Sequence, residues 1–313
     1  MILRNKHSEV RSGWKIFLVF LITYTLSFII SLLIGMILGL AFLIWGEGTL
    51  PFDIKNIQSI LSSDLGLMLS TSLSNGIIII SCIIIWKMFE KKKVREMGLT
   101  NFKEGYKEFI LGLLFGAIAI SIVAIVLLIM GNVQFVNSLS KPQLSISLLE
   151  GAILFVFVGF GEEILGRAYI MSVLKQTRNK WLILMISSII FAILHLGHDG
   201  ISVLAFINLF LVGLLFGYMF MKSKNIWMPI GYHITWNYFQ GYIWGFQVSG
   251  ITTNGLYKIE NINNNIINGG LFGPEGGLIV TIIICISFYI IYKYYNNESI
   301  DNFIGIEEKE IIE

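Results

Sequence analysis

A chain of 313 residues that is 55% hydrophobic, only 13% charged and +0.77 in mean hydropathy is too apolar for an ordinary soluble domain, where about a quarter of the residues carry charge. Its net charge of +2 gives no basic field for nucleic acid. The two cysteines, Cys82 and Cys285, each lie inside an apolar run and read as packing residues, not as a disulfide or a ligand pair.

The apolar residues fall in runs near 14–45, 66–86, 108–130, 146–174, 181–197, 201–221, 226–248 and 277–293. Most approach the roughly 20 residues that a helix needs to cross a bilayer. Unbroken Ile, Leu and Phe, with no apolar/polar alternation, predict helices over barrel strands. The first run is too long for a signal-peptide core and lacks a small-residue cleavage site, so it should remain as an anchor. The expected fold is therefore all-α, a polytopic transmembrane bundle of about eight spans. Lys and Arg crowd every second connection: Arg4 to Lys15, Lys87 to Lys107, Lys175 to Lys180, and Lys222 with Lys224. The alternate connections hold only Lys55, Lys141 and Lys258. That asymmetry predicts both termini in the cytoplasm. Three parts follow: residues 1–140 with the first three spans, 141–250 with spans four to seven, and 251–313 with an external loop, the last span and an acidic tail.

Smaller features have ordinary readings. Residues 51–65 pattern as a short interfacial helix, and the Asn- and Gly-rich segment 250–276 as an external loop. Gly112/Gly116 and Gly213/Gly217 form GxxxG pairs suited to close helix packing. Ser187 and Ser188 are expected to bond their own backbone, and His198 with Asp199 to form a solvated turn. Glu150 and His7 read as peripheral.

Ionisable groups stranded in apolar spans are costly there and mark functional sites. Span four contains Gly-Phe-Gly-Glu162-Glu163-Ile-Leu-Gly-Arg167, span five ends in Phe191-x-x-x-His195, and span seven holds His233-x-x-x-Asn237. Residues four apart lie about 40° apart around a helix, so Glu163 is placed to pair with Arg167 and His233 to project with Asn237. Glu162 is turned by about 100° from Glu163 and is left for chemistry. Counted at the helical rise from the basic ends, Glu162, His195 and Asn237 lie at about 20–22 Å and His233 at about 16 Å. Three spans thus place their polar groups at similar depth. A carboxylate held away from bulk water is suited to take a proton from an attacking water. His195 can share that water or protonate a leaving amine, and His233 and Asn237 can bind an oxyanion.

The three motifs, in this order on separate spans, resemble the CAAX-protease and bacteriocin-processing family. Its members include the eukaryotic prenyl-protein endoprotease and bacterial homologues often called Abi proteins. The likeness covers about residues 145–250. It implies an eight-helix intramembrane endopeptidase in which Glu162 and His195 activate water, His233 and Asn237 bind the oxyanion, and no metal is needed. It implies a peptide or protein substrate, membrane-associated or lipidated, with lipid as surroundings and no nucleic-acid partner. The family pattern has an aromatic before the Arg and a Gly after it, where this chain has Gly166 and Ala168. The Ile-, Asn- and Lys-rich composition hints at a bacterial cell membrane as the location.

Other readings of the same residues stand beside this one. Two His and a carboxylate equal the ligand count of a catalytic zinc site, although the His-Glu-x-x-His pair of zincins is missing. A non-proteolytic immunity or peptide-binding protein would use the cluster for binding alone. A transporter would use Glu162 and the histidines as a proton relay. A purely structural reading makes the polar groups interhelical glue.

Overall fold

The computed structural model describes residues 3–5, 9–45, 63–296, 298 and 300–304. Most of the proposed interfacial helix at 51–65, along with His7 and the acidic end 305–313, lies outside the described residues. The chain is mainly helical: α1 (Ser12–Trp45), α2 (Asp64–Phe89), α3 (Phe102–Ile129) and α4, which begins at Ser147. There follow α5 (Lys180–Leu194), α6 (Val203–Ser223), α7 (Trp227–Tyr238), α8 (Leu278–Tyr294) and the short α9 (Asp301–Ile304). Segments Ser12–Ala41, Asp64–Phe89, Val94–Ile129 and Val203–Ser223 are long and apolar enough to cross a membrane. Helices α5 and α8 are apolar but shorter.

Local chemistry starts several helices where the sequence changes character. Asn101 accepts from the Lys103 amide, Asn179 from the Trp181 and Leu182 amides, and Ser202 from the Ala205 amide. Each satisfies donors that the first helical turn leaves without a partner. Two helices change winding at or just past their polar motifs. Helix α4 is regular over Ser147–Glu163, widens to π turns over Ile164–Met171 and closes with Ser172–Leu174. Helix α7 does the same, from Tyr238 into π turns over Phe239–Ile243. Such π segments are rare and gather at functional sites.

Glycines bring the helix axes together. A Cβ on Gly112 would lie 2.3 Å from the Met228 carbonyl oxygen, and one on Gly116 2.2 Å from that of Tyr232. Gly231 answers from α7, 2.4 Å from the Phe109 carbonyl oxygen by the same construction. Helices α3 and α7 therefore meet backbone to backbone. Gly213 and Gly217 seat α6 against Ser188 and Leu184 of α5. The pairs Gly112/Gly116 and Gly213/Gly217 pack as the sequence suggests.

The basic connections gather at one end of the bundle. There Ser12 donates to the Val173 carbonyl, Lys15 pairs with Glu90, the Trp227 indole donates to Thr100, and Phe303 packs on Phe220. Lys222 donates to the carbonyls of Tyr295 and Glu298. At the other end, Val133–Phe135 and Ile259–Asn261 form a two-stranded antiparallel ladder, Val133 opposite Asn261. The Asn- and Gly-rich segment is more than a loop. Besides that strand it contains tight helical turns at Gly270–Phe272 and Pro274–Gly276, and Asn265 and Asn268 bond its backbone internally. Asn208 of α6 donates to the Glu275 and Gly277 carbonyls and holds this cap onto the bundle.

Candidate functional site

Beneath the cap lies a cavity of about 650 Å³ between α1, α2, α4, α5, α6 and α7. Glu162, His195, His233 and Asn237 all line it. The structure thus brings together in one cavity the four residues singled out for chemistry. The other two, Glu163 and Arg167, are fully buried behind them.

The buried layer is built first. Glu163 Oε1 accepts from Arg167 Nη1 at 3.1 Å and from His233 Nδ1 at 3.0 Å. The expected ion pair is present, and it carries a second duty, since the same oxygen fixes the His233 ring. Arg167 also donates to the Gly213 carbonyl at 3.3 Å. Its guanidinium stands over the rings of Phe191 and Phe216, 4.5 and 5.2 Å from their centroids. A charge in an apolar bundle persists only when paired and hydrogen-bonded, and α4, α5, α6 and α7 all contribute to that pairing.

Phe191 serves twice. Its ring covers Arg167, and its carbonyl takes a hydrogen bond from His195 Nδ1 at 2.8 Å. A carbonyl only accepts, so Nδ1 carries a proton. His195 sits at the end of α5, just after Leu194, where the helix leaves that carbonyl open. His233 is oriented through Nδ1 in the same manner by the Glu163 carboxylate. Both rings are consequently anchored through Nδ1 and present Nε2 to Glu162. The Nε2 atoms of His195 and His233 lie 3.9 and 4.0 Å from Glu162 Oε2. That oxygen is itself buried and has no hydrogen-bond partner among the described residues. The separations are too long for direct bonds and suit one water between the groups.

Zinc ligands at about 2.0–2.1 Å in a tetrahedron stand about 3.4 Å from one another. Glu162 Oε2 stands farther than that from each Nε2 atom, at 3.9 and 4.0 Å. Among the described residues no three His, Cys, Asp or Glu side chains group as metal ligands.

Some residues differ from their sequence reading. Ser188 bonds its own helix at the Leu184 carbonyl, but Ser187 donates across to the Gly166 carbonyl at 2.8 Å and ties α5 to α4. Gly166 lines the cavity, and a Cβ built there finds its nearest atom at 4.0 Å. The aromatic of the family pattern would take up part of this space. His198 is not a solvated turn residue. It is half-buried, its Nδ1 donates to the Ser249 carbonyl at 3.0 Å, and its ring lies 5.0 Å from that of His195. Asn75, Ser249 and Glu275 also line the cavity and were missed. None stands in a recognisable motif, and only His198, three residues past His195, carried a local signal.

Apolar helices around a carboxylate–imidazole cluster define a helical membrane protein with a polar site inside the bundle. Residues 144–239, which hold all three motifs, match the family of type II CAAX prenyl endopeptidases described as Rce1-like. This stretch of the chain is therefore similar to the CAAX proteases, as the motifs suggested, and the match supports a protease acting on a peptide or protein. Comparison with curated proteins finds no match.

Proposed function

We propose that this protein is an intramembrane endopeptidase of the glutamate type, hydrolysing a peptide bond with Glu162 as general base. The observation that carries the reading is the buried Glu162 Oε2, unbonded among the described residues and faced by two Nε2 atoms at 3.9 and 4.0 Å. A water bridging these groups gives a proton to Glu162 and attacks the scissile carbonyl carbon. The oxyanion is met by the Asn237 amide and by His233 Nε2 when that ring carries both protons, with Glu163 as its counter-charge. His195 delivers the proton to the departing amine, and the products are a carboxylate and an amine. Preorganised donors of this kind are worth several kcal/mol in a site kept from bulk water.

This mechanism uses no metal, which the donor spacing supports. The bundle crosses the membrane eight times with both termini cytoplasmic. The support for this is that basic connections meet at one end while the cap forms the other. The setting is a bacterial cell membrane, and the substrate is a membrane-associated or lipidated peptide or protein.

The test is cleavage by the purified full chain in lipid nanodiscs, with products from a peptide library identified by mass spectrometry. Glu162→Gln should lower the cleavage rate by about a thousandfold or more while expression and insertion stay unchanged. Unchanged cleavage would remove Glu162 from the mechanism. Inactivation by a chelator with recovery on adding zinc would replace the metal-free scheme, and binding without any cleavage by the wild type would favour an immunity or peptide-sequestering role.

A further inference from the structure

The cavity wall is electrostatically one-sided. Its lining contains two carboxylates, Glu162 and Glu275, and no Lys or Arg among the described residues. Arg167 sits behind the wall and is already engaged with Glu163. Glu162 has two imidazoles before it, whereas Glu275, at the cap end, has none bonded to it.

Glu275 is held in place by one oxygen only. Its Oε2 accepts from the Ser249 amide and from Ser249 Oγ, both at 2.8 Å. Ser249 adopts φ +47°, a left-handed conformation uncommon outside glycine. That conformation is fixed from both sides, since the Ser249 carbonyl accepts from His198 Nδ1. Strain of this kind persists only where the surroundings over-determine it, and it clusters at ligand clamps. The carbonyl of Glu275 is pinned by Asn208 of α6, so the residue's backbone is rigid as well. The result is an oriented carboxylate whose Oε1 has no hydrogen-bond partner among the described residues, set in the wall of a largely apolar chamber.

We propose that Glu275 forms a subsite for a cationic group of the substrate, a Lys or Arg side chain or a peptide amino terminus, at the cap end of the cavity. This rests on the endopeptidase reading and adds a specificity-determining residue to it. A carboxylate with one oxygen committed to Ser249 still accepts a charge-assisted bond through the other. Low surrounding polarity strengthens that attraction relative to water. Ser249 and His198 act through Glu275 as positioning residues.

The experiment measures binding to the full chain in nanodiscs by fluorescence anisotropy. The probes are labelled, N-acetylated neutral decapeptides in which a single Lys is walked through every position, plus the neutral parent with a free amino terminus. At least one Lys peptide, or the free-terminus parent, should bind wild type about tenfold more tightly than the acetylated parent. Which of the two gains identifies the source of the charge. In Glu275→Gln that gain should fall below about twofold, because glutamine keeps the acceptor for Ser249 and loses only the charge. Glu275→Lys should reverse the preference toward Asp-containing peptides. No gain in wild type, or a gain that survives Glu275→Gln, overturns the proposal. Charge-selective binding without Glu162-dependent cleavage would overturn the endopeptidase reading alone. Glu162-dependent cleavage with no charge preference would overturn this inference alone.

Discussion

Residues 31–40 of α1 and residues 164–171 of α4 are both apolar helical stretches in one chain, yet every residue of the first is exposed and every residue of the second is buried. Hydropathy runs opposite to burial, since the buried stretch is the less apolar of the two. The α4 stretch contains Arg167 and Tyr169, whose polar atoms need protein partners: Glu163 and Gly213 for the first, the Lys15 carbonyl for the second. The α1 stretch, Ser-Leu-Leu-Ile-Gly-Met-Ile-Leu-Gly-Leu, has no charge to satisfy and loses nothing by facing lipid. Even a shared motif splits between the two settings. Gly35 and Gly39 of α1 form a GxxxG pair with nothing among the described residues within 4 Å of either built Cβ, while Gly112 and Gly116 touch the α7 backbone. Small residues permit a close approach, and a partner helix decides whether one occurs.

Substitutions in the two regions would sharpen or break this contrast. The largest effect on stability is expected for Arg167→Met, which leaves the Glu163 carboxylate buried without its guanidinium. Loss of one partner of a buried pair costs about 3–5 kcal/mol, read as a drop in thermal stability in detergent. An unchanged melting temperature would mean that the Glu163–Arg167 pair does not hold the core. Next comes Gly116→Val, which forces α3 away from α7 and should cost about 1–3 kcal/mol, with weaker cleavage as His233 and Asn237 shift along with α7. The smallest is Gly39→Val, expected to stay within about 0.5 kcal/mol. If Gly39→Val proves as damaging as Gly116→Val, α1 has a packing partner beyond the described residues.

Much of the candidate site was legible because its chemistry is written at helical spacing. Glu163 and Arg167, Phe191 and His195, and His233 and Asn237 are each four residues apart, and a helix turns such pairs to one face. Their matching depths followed from a fixed rise per residue. The Glu163–His233 bond was not legible, because it joins residues 70 apart in sequence and depends on how α4 and α7 are set against each other. Ser187 was read as bonding its own helix, and the neighbouring α4 offered its hydroxyl a better-placed carbonyl instead. His198 was read as solvated because nothing local places the cap over it. The cap itself is assembled from Asn side chains bonding irregular backbone, which has no periodicity to detect.

The sequence alone determined that this is an apolar helical chain with a Glu, two His and an Asn at similar depth, since those follow from composition, run length and helical geometry. Only the tertiary structure decided that both imidazoles turn Nε2 toward Glu162. Ring orientation is set by what holds Nδ1, a carbonyl one turn back for His195 and a carboxylate from another helix for His233. It also decided that Glu275 reaches the same cavity, because a loop residue is positioned by the cap's contacts and not by any repeat in its own sequence.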